Sequence, residues 1–237
     1  TGCRSFCSWI VSENQIELDM DVRNGTHGVA LGSRKLEMAT IIEFKGDKGE
    51  SEYDALHRFC TIMCPSPRLP EKPVYGINDW YFAYGHNNEE LIASSAESMT
   101  DLIPEGDNKP FYVIDAGWAI EGKNPNTFYS PNSNFPDMKR LADRMKKAGF
   151  RPGLWMRPLL AWENVDESWL LEAVPNKSSR FFDPTVPAVK DYIRKCFEKY
   201  HEWGYEMVKH DFSTYDIFRT NGVGMVRSGS VTNGDWQ

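Results

Sequence analysis

The chain has 237 residues, with 27 Lys plus Arg against 34 Asp plus Glu and a formal net charge of −7; at about 150 residues per domain there is room for one domain and part of a second. The negative balance and the lack of a polybasic stripe disfavour duplex DNA and anionic membranes as partners. With 41% hydrophobic residues, Gly 18 and Pro 14, the composition excludes disorder and collagen-like repeats, and no apolar run approaches the roughly 18 residues of a membrane span.

Residues 14 to 23, NQIELDMDVR, alternate Ile16, Leu18, Met20 and Val22 with Glu17, Asp19, Asp21 and Arg23, the period of a half-exposed antiparallel strand. GVALGS (28–33) and LEMATIIEF (36–44) read as further strands, so that residues 1 to about 50 are expected to be all-β. From Ser51 the period becomes helical through Tyr53, Leu56, Phe59, Cys60 and Met63, with Ser51 as N-cap. Pro65, Pro67, Pro70 and Pro73 end that helix and stiffen a linker. A domain boundary is expected near residue 70, giving one domain over 1–70 and another over 71–237.

Beyond it, strands and amphipathic helices alternate. VYGIN (74–78) leads to a helix from about Glu89 to Ile103. FYVI (111–114) leads to a helix capped by Asp137 with Gly149 at its end. RPGLWM (151–156) leads to a helix from about Pro187 to Trp203, and YEMVK (205–209) completes the set. This pattern implies parallel β/α units, in a (β/α)8 barrel or a doubly wound sheet. No strand is followed by the G-x-G-x-x-G of a Rossmann fold, and the glycines of NGVGMVRSGS are wrongly spaced for it. Each strand does end in polar groups, Asn78 and Asp79, Asp115, Arg157, then Lys209 and Asp211, as expected of the active-site face of a barrel. The fold class is therefore read as α/β, a TIM-type (β/α)8 barrel of which about the first half is present.

Cys3, Cys7, Cys60, Cys64 and Cys196 are an odd set without C-x-x-C spacing and read as free thiols, Cys60 as a buried packing residue. The sequons at Asn24 and Asn176 are no more than chance supplies. The 13% aromatic content, partly beside carboxylates, suits a pocket for a polar, flat-faced ligand such as a sugar, or equally core packing. The histidines form no H-x-H or H-E-x-x-H, which disfavours a metal amidohydrolase.

Lys209 and Asp211 share a strand face by their spacing. They read either as an ordinary ion pair or as a carboxylate kept ionised by its cation and available as a nucleophile. Asp115 precedes a small-small-Trp turn, so an exposed carboxylate beside an aromatic plane is expected, or else a loop cap. Asp79 and Trp80 repeat that arrangement, and Trp155 with Arg157 could stack a ring and bind an anion or hydroxyl.

Taken in order, PVYGINDWY, FYVIDAGW, GFRPGLWMRP, SSRFFDPTVPAVKDYI and YEMVKHDF resemble the catalytic barrel of the α-galactosidases of glycoside hydrolase family 36, and more distantly families 27 and 31. The resemblance covers about residues 70 to 215, and the strand-rich start looks like the end of the family's N-terminal β-sandwich. It implies that Asp211 is the nucleophile of a retaining glycosidase and Lys209 a ligand of a substrate hydroxyl. It further implies a sugar-binding carboxylate in Asp115, a pocket wall in Trp155, an arginine reaching the pocket in Arg180, and a first-strand border in Asp79 and Trp80. Ala116 and Arg157 stand where the family has carboxylates, which changes the hydroxyls or anionic groups recognised. The family's acid/base aspartate is expected beyond Gln237.

The expectation is a retaining hydrolase of α-galactosides or similar α-linked sugars, with an oligosaccharide or glycoside as partner and no metal or organic cofactor. A transglycosylase of the raffinose-synthase type and a non-catalytic sugar binder are the alternatives. Homo-oligomerisation and the compartment, cytoplasmic, periplasmic or secreted, stay open.

Overall fold

The computed structural model describes residues 6–21, 32–35, 40–120, 130–161, 164–171, 180–213 and 216. Residues 22–31 and 36–39, both sequons, Cys3, the side chain of Cys7 and the NGVGMVRSGS segment lie outside the described residues. The chain divides into two units, one of Ser33–Pro73 and one of Thr1–Gly32 with Val74–Gln237.

In the larger unit, β1 (Phe6–Val11) and β2 (Ile16–Asp21) pair antiparallel with Trp9 opposite Leu18. In the smaller unit, α1 (Glu52–Met63) starts on Ser51, whose Oγ accepts the Asp54 N–H at 3.1 Å. Residues 40–44 are not a strand, which corrects the reading of LEMATIIEF there: Phe44 stacks on Phe59 of α1 at 5.3 Å instead, under the Arg58 guanidinium. Cys60 and Cys64 are free and exposed, while Cys196 is buried. Burial of Cys60 is thus also overturned, because α1 buries none of its residues.

The rest of the larger unit is a four-stranded parallel sheet in the order β3-β4-β5-β6, formed by Gly76–Asn78, Phe111–Ile114, Arg151–Met156 and Met207–His210. Sequential strands are neighbours, the common arrangement of consecutive elements. Helices α3 (Glu89–Ser98), α4 (Met138–Lys147) and α5 (Pro187–Trp203) cover one face. Each begins with local chemistry: Asn88 caps the Leu91 N–H, Asp137 caps the Arg140 N–H, and Pro187 occupies the first turn of α5.

Period-2 alternation sends Tyr112, Ile114, Leu154 and Met156 into the helices, against Ile92, Leu141, Met145, Val189 and Tyr200. A fully buried side chain of this kind contributes about 1.5–3 kcal/mol. Phe111, Val113, Gly153, Trp155, Met207 and Lys209 alternate onto the concave side, where the polar groups gather at the carboxyl ends. Among the described residues the sheet is open at β3 and β6, and no helix is long and apolar enough to cross a membrane. A short helix, α2 (Trp80–Ala83), which periodicity did not reveal, follows β3 directly.

Candidate active site

Strand register assembles the site. Ile114 pairs with Leu154 and Trp155 with Lys209, so Asp115, Trp155 and Lys209 stand abreast on three adjacent strands. The Lys209 stem crosses Trp155, and its ammonium meets the Asp115 carboxylate at 2.6 Å. The partner of Lys209 is thus Asp115 two strands away, not its strand neighbour Asp211, whose two oxygens accept other donors.

Asp115 is held from every side. Its Oδ2 also accepts Asn78 Nδ2 at 2.7 Å, its Oδ1 accepts the Ala116 N–H at 2.8 Å, and its own N–H donates to Asp79 Oδ1 at 2.6 Å. With 3% of its side chain exposed, it is not the exposed carboxylate read from the sequence. Nor does Trp118 provide a stacking surface. It is buried edge-on against Tyr200 and Trp203, with its indole N–H on the Trp155 carbonyl at 2.8 Å.

Asp79 is fully buried and sits beneath the cleft rather than in its wall. Its second oxygen accepts Asn87 Nδ2 at 2.7 Å, and burial pushes its carboxyl above the usual carboxylate range. Asn87 also donates to the Ala116 carbonyl at 3.2 Å, tying the loop after β3 to the loop after β4. That closeness requires Gly117, which has φ +111°; a Cβ there would lie 2.4 Å from the Gly85 carbonyl oxygen and 2.6 Å from Asn87 Oδ1.

Asp211 follows β6, its backbone N–H on the Met156 carbonyl at 2.8 Å. Its two oxygens accept the Trp155 indole N–H at 3.0 Å and the Phe212 N–H at 2.9 Å. Phe212 has φ +59°, a left-handed conformation that costs a non-glycine residue about 1–3 kcal/mol and is often retained at functional sites.

Trp80, Asp115, Ala116, Trp155, Arg157, Lys209, Asp211 and Phe212 line one cleft of about 280 Å3, near the lower end of the ~300–1,000 Å3 of small-molecule sites and sized for a single ring. Six of the eight residues singled out in the sequence meet here; Asp79 supports from below. Arg180 lies outside the cleft lining, paired with Glu167 through its guanidinium. Sequence reading missed Asn87, Phe212 and Asp216. Asp216 is fully buried and clasps Arg157, with Nε to Oδ2 at 2.9 Å and Nη2 to Oδ1 at 2.6 Å. No sequence signal marks Asn87 or Asp216, whose roles arise from partners far along the chain. Among the described residues no cluster of His, Cys, Asp or Glu could hold a metal.

No protein family's model matches the chain, and no curated protein does. Solved structures do. An α-galactosidase from Thermus thermophilus, in complex with p-nitrophenyl α-D-galactopyranoside, superposes with a TM-score of 0.50 at 24% identity, over 61% of this chain and 32% of that one. The galactosidase domain of an α-galactosidase-sucrose kinase gives 0.50 at 19%, over 62% and 22%. The chain thus spans about a third or less of the length of these structures. At such identities the likeness is one of fold: the parallel sheet and its helices are part of a TIM-type barrel, which is not closed among the described residues.

Proposed function

We propose that the protein is the corresponding part of a retaining glycosidase that cleaves α-galactosides or similar α-linked sugars, resembling glycoside hydrolase family 36. The observation that carries this reading is Asp211, oriented by an indole N–H and a backbone N–H at the end of a barrel strand and facing a one-ring cleft walled by Trp80 and Trp155. A carboxylate oxygen of Asp211 attacks the anomeric carbon, forming a C–O ester bond as the glycosidic C–O bond breaks. A second carboxylic acid protonates the departing oxygen and then takes a proton from the attacking water; it is not among the residues lining the described cleft. Lys209, paired with Asp115, donates to ring hydroxyls, and Asp115 accepts from them. The tryptophans offer apolar faces to the sugar.

The fold likeness to α-galactosidases and the motif series of the sequence support the same reading. In this account residues 1–70 are the end of a β-sandwich domain with its linker helix, and 71–237 the first four β/α units of the barrel. Ala116, which lines the cleft without a carboxylate, also suits a second reading, a sugar binder without turnover.

Incubation with activated 2-fluoro-α-glycosides separates the two. The leaving group needs little acid help, so peptide mass spectrometry is expected to find a glycosyl adduct on Asp211, and Asp211→Ala is expected to abolish it. Sugar binding without an adduct would establish the binder instead.

A further inference from the structure

Two cations line the cleft, and both are already matched. Lys209 lies 2.6 Å from Asp115. Arg157, at the end of β5, is held by Asp216 at 2.6 Å, with its side chain 22% exposed against 0% for Asp216. Two parallel N–H to oxygen contacts fix the plane of the guanidinium as well as its position. That plane lies over the Phe212 ring, with Cζ 4.5 Å from the centroid, and Phe181 is 5.6 Å away.

The same contacts bind the turn after β6. Asp216 donates its backbone N–H to the Phe212 carbonyl at 2.7 Å, and Phe212, in its left-handed conformation, donates its own N–H to Asp211. A strained aromatic residue stays so only where its surroundings over-determine it; here they are the Arg157 plane on its ring and the Asp216 N–H on its carbonyl. Among the described residues Asp211 has hydrogen-bond donors but no ion-pair partner. A carboxylate on a bound ring would therefore meet an uncompensated negative charge and no spare cation.

We infer that Asp216 is a positioning residue of this site: it locks Arg157 across the Phe212 turn and neutralises it, so that Asp211 is presented to an uncharged ring rather than to an anionic one. The inference rests on the glycosidase reading above. It assigns Arg157 a different part from the anion ligand its position in the sequence suggests.

The test compares labelling of Asp211 by an activated 2-fluoro-α-galactoside and by the matching α-galacturonide, in the wild type, Asp216→Asn and Arg157→Lys. The neutral reagent is expected to label the wild type at least about tenfold faster than the uronide. In both variants the saturating rate of neutral labelling is expected to fall by about tenfold with half-saturation little changed, since the sugar's own contacts remain. Asp216→Asn is also expected to narrow the preference, because it frees the Arg157 charge. If Asp216→Asn does not fold, Arg157→Lys decides, as it keeps the charge and loses the planar fork. Unchanged saturating rates overturn the inference, as does a rise in half-saturation alone, which would make Arg157 a sugar ligand. A uronide that labels the wild type as fast as the galactoside overturns it too. A wild type that no reagent labels sinks the glycosidase reading itself, whereas wild-type labelling unaffected by either variant sinks only the role of Asp216.

Discussion

At the scale of single residues, the cleft depends on carboxylates with different surroundings. Asp115 and Asp211 line it, while Asp79 and Asp216 are buried behind it. Burial raises the Asp79 carboxyl, against the donors of Asp115 and Asn87 that favour its charged form. The folded state thus holds that proton more tightly than the unfolded chain, whose ordinary value is near 3.8. The stability this contributes is complete below the ordinary value and fades as pH rises through the raised one. Asp79→Asn is expected to cost about 1–3 kcal/mol, since its amide sets a donor against Asn87 Nδ2. Urea unfolding at a series of pH values should show the gap between wild type and variant narrowing as pH rises; a widening gap would contradict the assignment. The type of residue at Asp79, Asp115 and Asp211 was legible in the sequence, but not which of them faces solvent. Burial is set by the loops folded over each one.

At the scale of elements, the loops after β3 and β4 are held together by one side chain and one glycine. Asn87 reaches Asp79 and the Ala116 carbonyl, and Gly117 lets the chains pass within contact. Gly106 has a similar backbone, φ +106°, but open space where its Cβ would stand. Gly117→Ala and Gly106→Ala therefore share a backbone strain of about 1–3 kcal/mol, and only the first adds a clash with backbone. Unfolding midpoints should place Gly117→Ala lower by about 2 kcal/mol or more; equal losses would mean that the loops part freely. The long elements were readable because caps and periodicity are local: Asp137 with α4 and Pro187 with α5 fall where they were expected. The four-residue α2 was not, being too short to show a period. The stretch 40–44 misled because an alternation of apolar residues does not supply a partner strand.

For the whole larger unit, the parallel sheet carries a gradient of protection. β4 and β5 are paired on both sides and covered by helices, whereas β3 and β6 form the open sides of the described sheet. Hydrogen exchange is expected to be slowest at the amides of 111–114 and 153–156 and markedly faster at 76–78 and 207–210, since edge amides open without breaking the core. Uniform protection over the four strands would mean that β3 and β6 are paired in solution. The likeness to α-galactosidase structures extends over 61–62% of the chain, and the fold it shares with them is one of the two that the strand–helix alternation left open.

The sequence by itself determined the order of the parallel strands β3 to β6 and of the helices α3 to α5, the apolar faces of those helices, and the polar residues that end the strands, because these follow from the period of the backbone and the chemistry of caps and turns. Only the tertiary structure decided that Lys209 pairs with Asp115, that Trp118 is packing and Trp80 a wall, that Arg180 stands away from the cleft, and that Asp216 holds Arg157. Those outcomes depend on strand register and loop closure, which bring together residues as many as 94 positions apart, and no local pattern encodes a distance of that kind.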